Sequence, residues 1–395
     1  MRISGFRMGI FRHRRAVELI TQAALGAAMG ELMLGKRLGK RAMAWGALFG
    51  ILPAVDVILS LFFDTAHQLA FRKGPSHSLW FMGLASYGLA HLLEKRWKRE
   101  NITKAQAGCF VFVLFCGHVL LECFPVSGAG VLWPFVGARL AFNDLFPTDF
   151  LLSAPLIVAA VWLAVLPEEV VKKTRGKKAP PPPSKRRRLG FWGIGLASAY
   201  VLLSVGMKFV ASAGFEEDLK RRGTVYQRRM EAPTMFNLFL WRSVVDRGDE
   251  MWVGYRTIFE SRETPVRWTV YPKGTAALAG VADMREIKTL TRLTDGWWLA
   301  RTNAKGVWLG DLRHCEARNW GDKKGMVDSR MAYSWVFSVT AKGDRLRQID
   351  ETWRNTGEIL SRMSGRIIGK RDQWEANPRL AGVAGSLPEF LPVEE

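Results

Sequence analysis

The chain has 395 residues, 48% hydrophobic and 24% charged, with a formal net charge of +21. Such averages resemble a soluble protein, but their distribution excludes a uniformly soluble chain. Roughly the first 210 residues hold apolar stretches near the ~20 residues a helix needs to cross hydrocarbon, and the remainder is polar with scattered tryptophans.

The N-terminal MRISGFRMGIFRHRR is basic and lacks the uninterrupted apolar core and small-residue cleavage site of a cleaved signal. Spans are expected over Leu19 to Leu34, Ala42 to Phe63, Ser76 to Leu93, Ala105 to Phe124, Phe150 to Leu166 and Leu189 to Ala211. The first carries Gln22 and Glu31 and is rich in Gly and Ala, which suits close packing inside a bundle, either spanning or re-entrant. Basic loops at 35–41 and 94–104, and nine Lys or Arg between Lys172 and Arg188, orient those ends toward the cytoplasm. Arg72, Lys73 and the basic N-terminus run against that vote. Within the long basic run, APPPP is a semi-rigid spacer whose flanking cations suit anionic lipid head groups, a reading preferred here to nucleic-acid binding.

Beyond the last span, MWVGYRTIFE, PVRWTVYP, GWWLARTN, GVWLGDLR and AYSWVFSVT are short aromatic or β-branched runs divided by turn residues, and read as strands. Helices are expected over Phe215 to Arg229 and Gly343 to Arg362. The tryptophans there form the core of a small sheet or line a face that touches membrane or substrate. Cys315 is the tail's lone cysteine, so no disulfide forms within it. The expected fold class is a multi-span α-helical membrane domain followed by a soluble β-rich (α+β) domain. Its parts are a helical membrane domain over 1–166, a basic proline-rich cytoplasmic linker over 167–188, a further transmembrane helix over 189–212, an extracytoplasmic β-rich domain over 213–380 and a disordered tail over 381–395.

Ionisable residues stand where lipid is expected: Asp56 in the second span, His77 opening the third, His118 and Glu122 in the fourth, and Asp149 at the mouth of the fifth. Intramembrane charge is costly and marks a functional site by default. With alternating spans these residues converge at one depth, on the non-cytoplasmic side. His118 and Glu122, at i and i+4, share a helix face, the spacing that offers two ligands to one metal; a buried ion pair or hydrogen bond is the blander alternative. Pro53 removes a backbone hydrogen bond just before Asp56 and can open the helix toward a cavity. His77 follows a Gly-Pro-Ser turn and sits in a first helical turn, where it can bind a metal or an anion or bond a neighbouring carbonyl. His67 reads as an exposed loop residue. Cys109, Cys116 and Cys123 form a stripe roughly opposite His118 and read as packing residues.

Taken in order, these motifs resemble the LexA-regulated inner-membrane family of membrane-bound metal-dependent hydrolases, across about the first 165 residues. The resemblance is carried by Leu19-Ile20-Thr21-Gln22, then Pro53-Ala54-Val55-Asp56 against a Pro-Asp-x-Asp element, and Arg72-Lys73-Gly74-Pro75-Ser76-His77-Ser78 against His-Arg-Gly-x-Ser/Thr-His-Ser. It continues through His118 to Glu122, SGAGVLWPF from Ser127 to Phe135, and Asp149-Phe150-Leu151. Three positions depart: Ala54 replaces an aspartate, Arg72 a histidine, and Glu122 an aspartate. Alanine offers no ligand and a guanidinium repels a cation.

The resemblance implies hydrolysis by metal-activated water, with zinc or another divalent ion held by Asp56, His77, His118 and Glu122, and with Asp149 or Gln22 in support. Asp56, Glu122 and Arg72 are the implied catalytic residues, Arg72 pairing with an anionic substrate oxygen. Membrane lipids are the expected surroundings, and a phosphoester or lipid-like small molecule the expected substrate. The rival reading is a catalytically degenerate scaffold or envelope-interaction protein, in which Arg72 satisfies the orphaned carboxylates.

Overall fold

The computed structural model describes residues 10–168, 184–303, 306–320, 327–331, 333–338, 345–350, 356–375, 378–380 and 389–390. The N-terminal half is a helical bundle: α1 (Ile10–Leu38), α2 (Lys40–Ile51), the short α3 (Asp56–Ser60) and α4 (Thr65–Phe71), α5 (Leu79–Arg96), α6 (Lys104–Cys123), α7 (Phe150–Val165) and α8 (Lys185–Arg221). Among the described residues, four segments are long and apolar enough to cross a membrane: Val17–Leu38, Lys40–Ser60, Lys104–Cys123 and Lys185–Arg221. The first of them is part of one continuous helix, Ile10–Leu38.

Helix starts follow local chemistry. Thr103 and Gln106 form a reciprocal capping box on α6, and the Ser78 hydroxyl accepts from the Phe81 N–H at the start of α5. The segment expected to run unbroken from Ala42 to Phe63 is interrupted, because Pro53 has no N–H to continue the ladder. A 3-10 turn over Leu52–Val55 separates α2 from α3.

Small residues let α1 and α2 touch backbone to backbone. A Cβ on Gly26 would lie 2.2 Å from the Gly46 carbonyl oxygen, and one on Gly46 2.1 Å from that of Gly26. Gly30 meets Ala42 in the same way at 2.2 Å. Between apolar helices, where no hydrophobic force separates helix from lipid, such contact supplies the packing energy. At the end of the bundle marked by Gly39 and the 97–103 turn, the buried Glu31 of α1 finds its partner. Arg186 forks onto Glu31, Nε to Oε1 at 3.0 Å and Nη2 to Oε2 at 2.6 Å, and its Nη1 donates to the Leu163 and Leu166 carbonyls.

The tail comprises β1 (Arg228–Pro233), β2 (Leu240–Asp246), β3 (Glu250–Thr257), β4 (Trp268–Pro272), α9 (Arg285–Leu293), β5 (Trp298–Asn303), β6 (Gly306–Asp311), β7 (Ala317–Trp320), β8 (Val327–Arg330), β9 (Tyr333–Ser338), β10 (Arg345–Asp350), α10 (Thr356–Ile367), α11 (Asp372–Glu375), β11 (Pro378–Leu380) and β12 (Glu389–Phe390). Two antiparallel sheets, ordered β1-β2-β3-β4-β12 and β10-β9-β6-β5, carry most of it, with a smaller sheet β11-β8-β7. Tryptophans build its cores: Trp241, Trp252 and Trp268 pack on Ala211, Phe215 and Leu219 of α8.

Several expectations change. α8 runs unbroken from Lys185 to Arg221, through the last residues of the basic linker and past the start of the tail, so the helix expected to begin at Phe215 is its end; Arg228 onward is strand. Residues 345–350, expected helical, are β10, whose alternating Arg-Leu-Arg-Gln-Ile suits a strand, and the helix begins at Thr356. Glu389–Phe390, in the segment expected to lack structure, pairs with Thr269 and Val270. The APPPP spacer and most of the basic run around it lie outside the described residues.

The tail is seated on one end of the bundle. Val126 and Phe146 from the loop between α6 and α7 join the tail's largest apolar cluster, and Leu69 of α4 packs with Ile287, Leu290 and Trp335. Gly46→Val should therefore cost about 3 kcal/mol by forcing α1 from α2, whereas Gly195→Ala, with open space around it, should be neutral. Thermal unfolding of the detergent-solubilised protein separates the two.

Candidate metal centre

The interruption at Pro53 does more than bend a helix. Ending α2 there leaves carbonyls of its last turn in need of donors, and His118 Nδ1 lies 2.6 Å from the Gly50 oxygen. A carbonyl only accepts, so Nδ1 carries the proton and the lone pair of His118 resides on Nε2. Gln22 of α1 holds the same turn of α6 by donating Nε2–H to the His118 carbonyl at 3.1 Å.

His77 arrives on the turn between α4 and α5. Lys73 adopts a left-handed φ of 54°, which aims its N–H at Asp56 Oδ2, 2.5 Å away. The glycine-rich loop after α6 clamps this turn: the Gly130 N–H donates to the Lys73 carbonyl at 2.7 Å and the Leu79 N–H to Val131 at 3.0 Å. A Cβ on Gly130 would meet that Lys73 oxygen at 2.9 Å, which is why the loop needs a glycine there. So held, His77 Nδ1 faces Ser76 Oγ at 2.9 Å and Asp56 Oδ2 at 3.4 Å. With Asp56 behind Nδ1, the His77 Nε2 faces inward, toward Glu122.

The two Nε2 atoms stand 3.3 Å apart. Glu122 completes a triad, its Oε2 2.8 Å from His77 Nε2 and its Oε1 3.5 Å from His118 Nε2. The ligand atoms of His77, His118 and Glu122 all lie within 4.8 Å of one another. Two nitrogens bound at about 2.0–2.1 Å to a tetrahedral ion lie about 3.3 Å apart, so this donor set fits a zinc-like ion and leaves a coordination position open. Asp56, His77 and His118 are each 1% exposed. Polar groups this deep are stable only if paired, and a cation between the two Nε2 atoms would pair both rings with Glu122.

Asp56 thus takes a different place from the one expected of it, orienting His77 from behind. Asp149 stands outside the triad, because it caps α7: its Oδ1 accepts from Leu151 N–H at 2.9 Å and Leu152 N–H at 3.3 Å, while Tyr200 donates to Oδ2 at 2.9 Å. Arg72 has no carboxylate partner among the described residues, and its Nε is buried with no hydrogen-bond partner. The cation that does meet Glu122 is Lys73, Nζ to Oε2 at 3.6 Å. His67 is exposed on α4 and pairs with Asp64.

A cavity of about 300 Å³ opens on the triad, walled by Leu48, Ile51, Leu52, Ala54, Val57 and Ile58, with Glu18, Arg72 and Lys73 beside it. Lys73, Glu18 and the Gly50 carbonyl were not singled out as site groups by sequence reasoning. Lys73 lies inside the quoted motif and was legible there; a backbone carbonyl leaves no side-chain signal. Replacing Asp56 with asparagine keeps the shape and removes the charge behind His77, so metal affinity should fall about 10- to 100-fold with the fold retained. A competition titration with a chelating dye measures it.

Neither a curated protein nor a solved structure matches the chain. One family model does, over residues 17–213, and every residue of the triad and its supports lies inside that range. Its description gives a location, and the apolar helices agree with it: residues 17–213 are similar to the YdjM inner membrane protein family, and the molecule is a membrane protein.

Proposed function

We propose that the protein is a multi-pass, membrane-bound, metal-dependent hydrolase with its site and tail on the periplasmic side. The observation that carries the reading is the opposition of two anchored imidazoles, Nε2 to Nε2 at 3.3 Å, beside a carboxylate and a cavity. His77, His118 and Glu122 hold the ion. Bound there, a divalent ion such as zinc supplies Lewis acidity and an activated water at neutral pH. Asp56 keeps the proton on His77 Nδ1. Arg72, on the cavity wall with its Nε unsatisfied, binds an anionic substrate oxygen, and the apolar walls exclude bulk water and accept a phosphoester or lipid-like group.

Charge supports the orientation. Arg37, Lys40, Arg41 and Arg186 donate to Asn101, Ala164, Glu100 and Glu31 at the end of the bundle remote from His77, and a basic end faces the cytoplasm. Arg72 and Lys73, the exceptions to that rule, are local parts of the site. The 3.6 Å approach of Lys73 to Glu122 favours a second reading, a structural polar network in which an ammonium stands in for the ion.

An activity screen over phosphoesters and acyl esters in detergent decides between them. The hydrolase reading expects turnover that a chelator abolishes and zinc restores, reduced about a hundredfold or more in Glu122→Gln. Chelator-resistant turnover overturns the role of the metal, and turnover on no ester class supports the network. An alkaline-phosphatase fusion after Arg221 should be active; an inactive fusion beside an active cytoplasmic reporter overturns the orientation.

A further inference from the structure

A second cavity, of about 110 Å³, lies between the bundle and the tail, and Glu18, Arg72 and Lys73 line both it and the cavity over the triad. Its far wall belongs to the tail: Arg313 and His314 after β6, and Tyr333 and Trp335 on β9. Arg139, from the loop after α6, closes the side.

The charges here do not cancel. Arg313 is committed to Asp311, Nε to Oδ1 at 3.0 Å and Nη2 to Oδ2 at 2.8 Å. Burial would raise the Asp311 carboxyl, but Arg313 and His314 hold it below the ordinary carboxylate range. Arg139 Nη2 bonds only main-chain oxygens, of Leu69 at 2.9 Å and Arg72 at 2.5 Å, so it brings a charge and takes no carboxylate among the described residues. Burial and the like charges of Arg313 and Arg72 push its guanidinium down, against smaller pulls from Asp56 and Glu122.

Two donors are also orphaned. Arg72 Nε and Trp335 Nε1 are both buried with no partner, Trp335 being 2% exposed. An unmade hydrogen bond at a buried donor is costly, and its recurrence on opposite walls of one basic cavity indicates a missing acceptor.

We propose that this vestibule is a phosphate-type oxyanion subsite, filled by Arg72, Arg139 and the Trp335 indole N–H from both halves of the chain. Guanidinium groups suit the paired oxygens of phosphate. The anion is either a free phosphate or a lipid head group. The adjoining apolar cavity, whose Leu48 and Ile58 are 46% and 62% exposed on the bundle surface, favours a lipid. The tail then acts as the specificity element of the site below. The binding claim stands on the vestibule itself, and only its link to turnover rests on the hydrolase reading.

The full-length protein in detergent is titrated with inorganic phosphate. In parallel, protein in nanodiscs of phosphatidylcholine, alone or mixed with phosphatidic acid in equal parts, is scored for retained lipid by native mass spectrometry. Saturable phosphate binding or selective retention of phosphatidic acid is expected, and which of the two occurs names the source. Arg72→Gln should weaken binding about tenfold or more and Trp335→Phe, which removes only the N–H, about fivefold, with unchanged melting. Absence of both kinds of binding, or binding indifferent to both substitutions, overturns the proposal. Repeating the titration after chelation separates the claims. Phosphate binding by a protein that never holds metal keeps the vestibule and sinks the hydrolase, and metal-dependent turnover without it does the reverse.

Discussion

Everything at the centre depends on how two imidazoles are anchored. Gly50 and Asp56 each face an Nδ1 position, through 2.6 Å and 3.4 Å contacts, and so turn both Nε2 atoms onto the same small volume. In water such a pair would rotate apart; inside a bundle, with both rings 1% exposed, it cannot. The backbone has been arranged to enforce this opposition. The proline break frees the Gly50 carbonyl, the left-handed Lys73 delivers an N–H to Asp56, and the Gly130 loop locks the His77 turn.

The rest of the bundle serves that arrangement. Glycine contacts bring α1 against α2, which places Gln22 within reach of the His118 carbonyl and Gly50 beside the ring. The buried Glu31 and Arg186 pair lies at the other end, so it does not compete with the triad. α8, about 55 Å long at the usual rise, carries the tail back over the site end, where Trp335 and Leu69 share an apolar cluster.

How much of this could be read in advance depended on whether a residue's role is written in its side chain. Asp56, His77, His118 and Glu122 were legible because ionisable groups are rare in apolar helices, and the break at Pro53 because proline cannot continue a ladder. Asp149 was misleading for a physical reason: an aspartate before a helix serves as a cap as readily as a ligand, and here Leu151, Leu152 and Tyr200 consume it. The Gly50 carbonyl left no trace, and Arg72 and Lys73 exchange roles in a way that one residue of register decides. In the tail, the strand runs from Met251, Trp268, Trp298, Val307 and Ser334 were visible as short aromatic or β-branched runs between turn residues. The continuity of α8 was not, because its hydropathy falls where it leaves the membrane while its backbone does not change.

The account stands on a cation between the two rings. Metal analysis of the purified full-length protein, beside His118→Ala, tests that most directly. One equivalent of a divalent ion per chain, lost in the variant, is the expected result. A metal-free wild-type protein whose melting temperature does not respond to added zinc or to a chelator would contradict it.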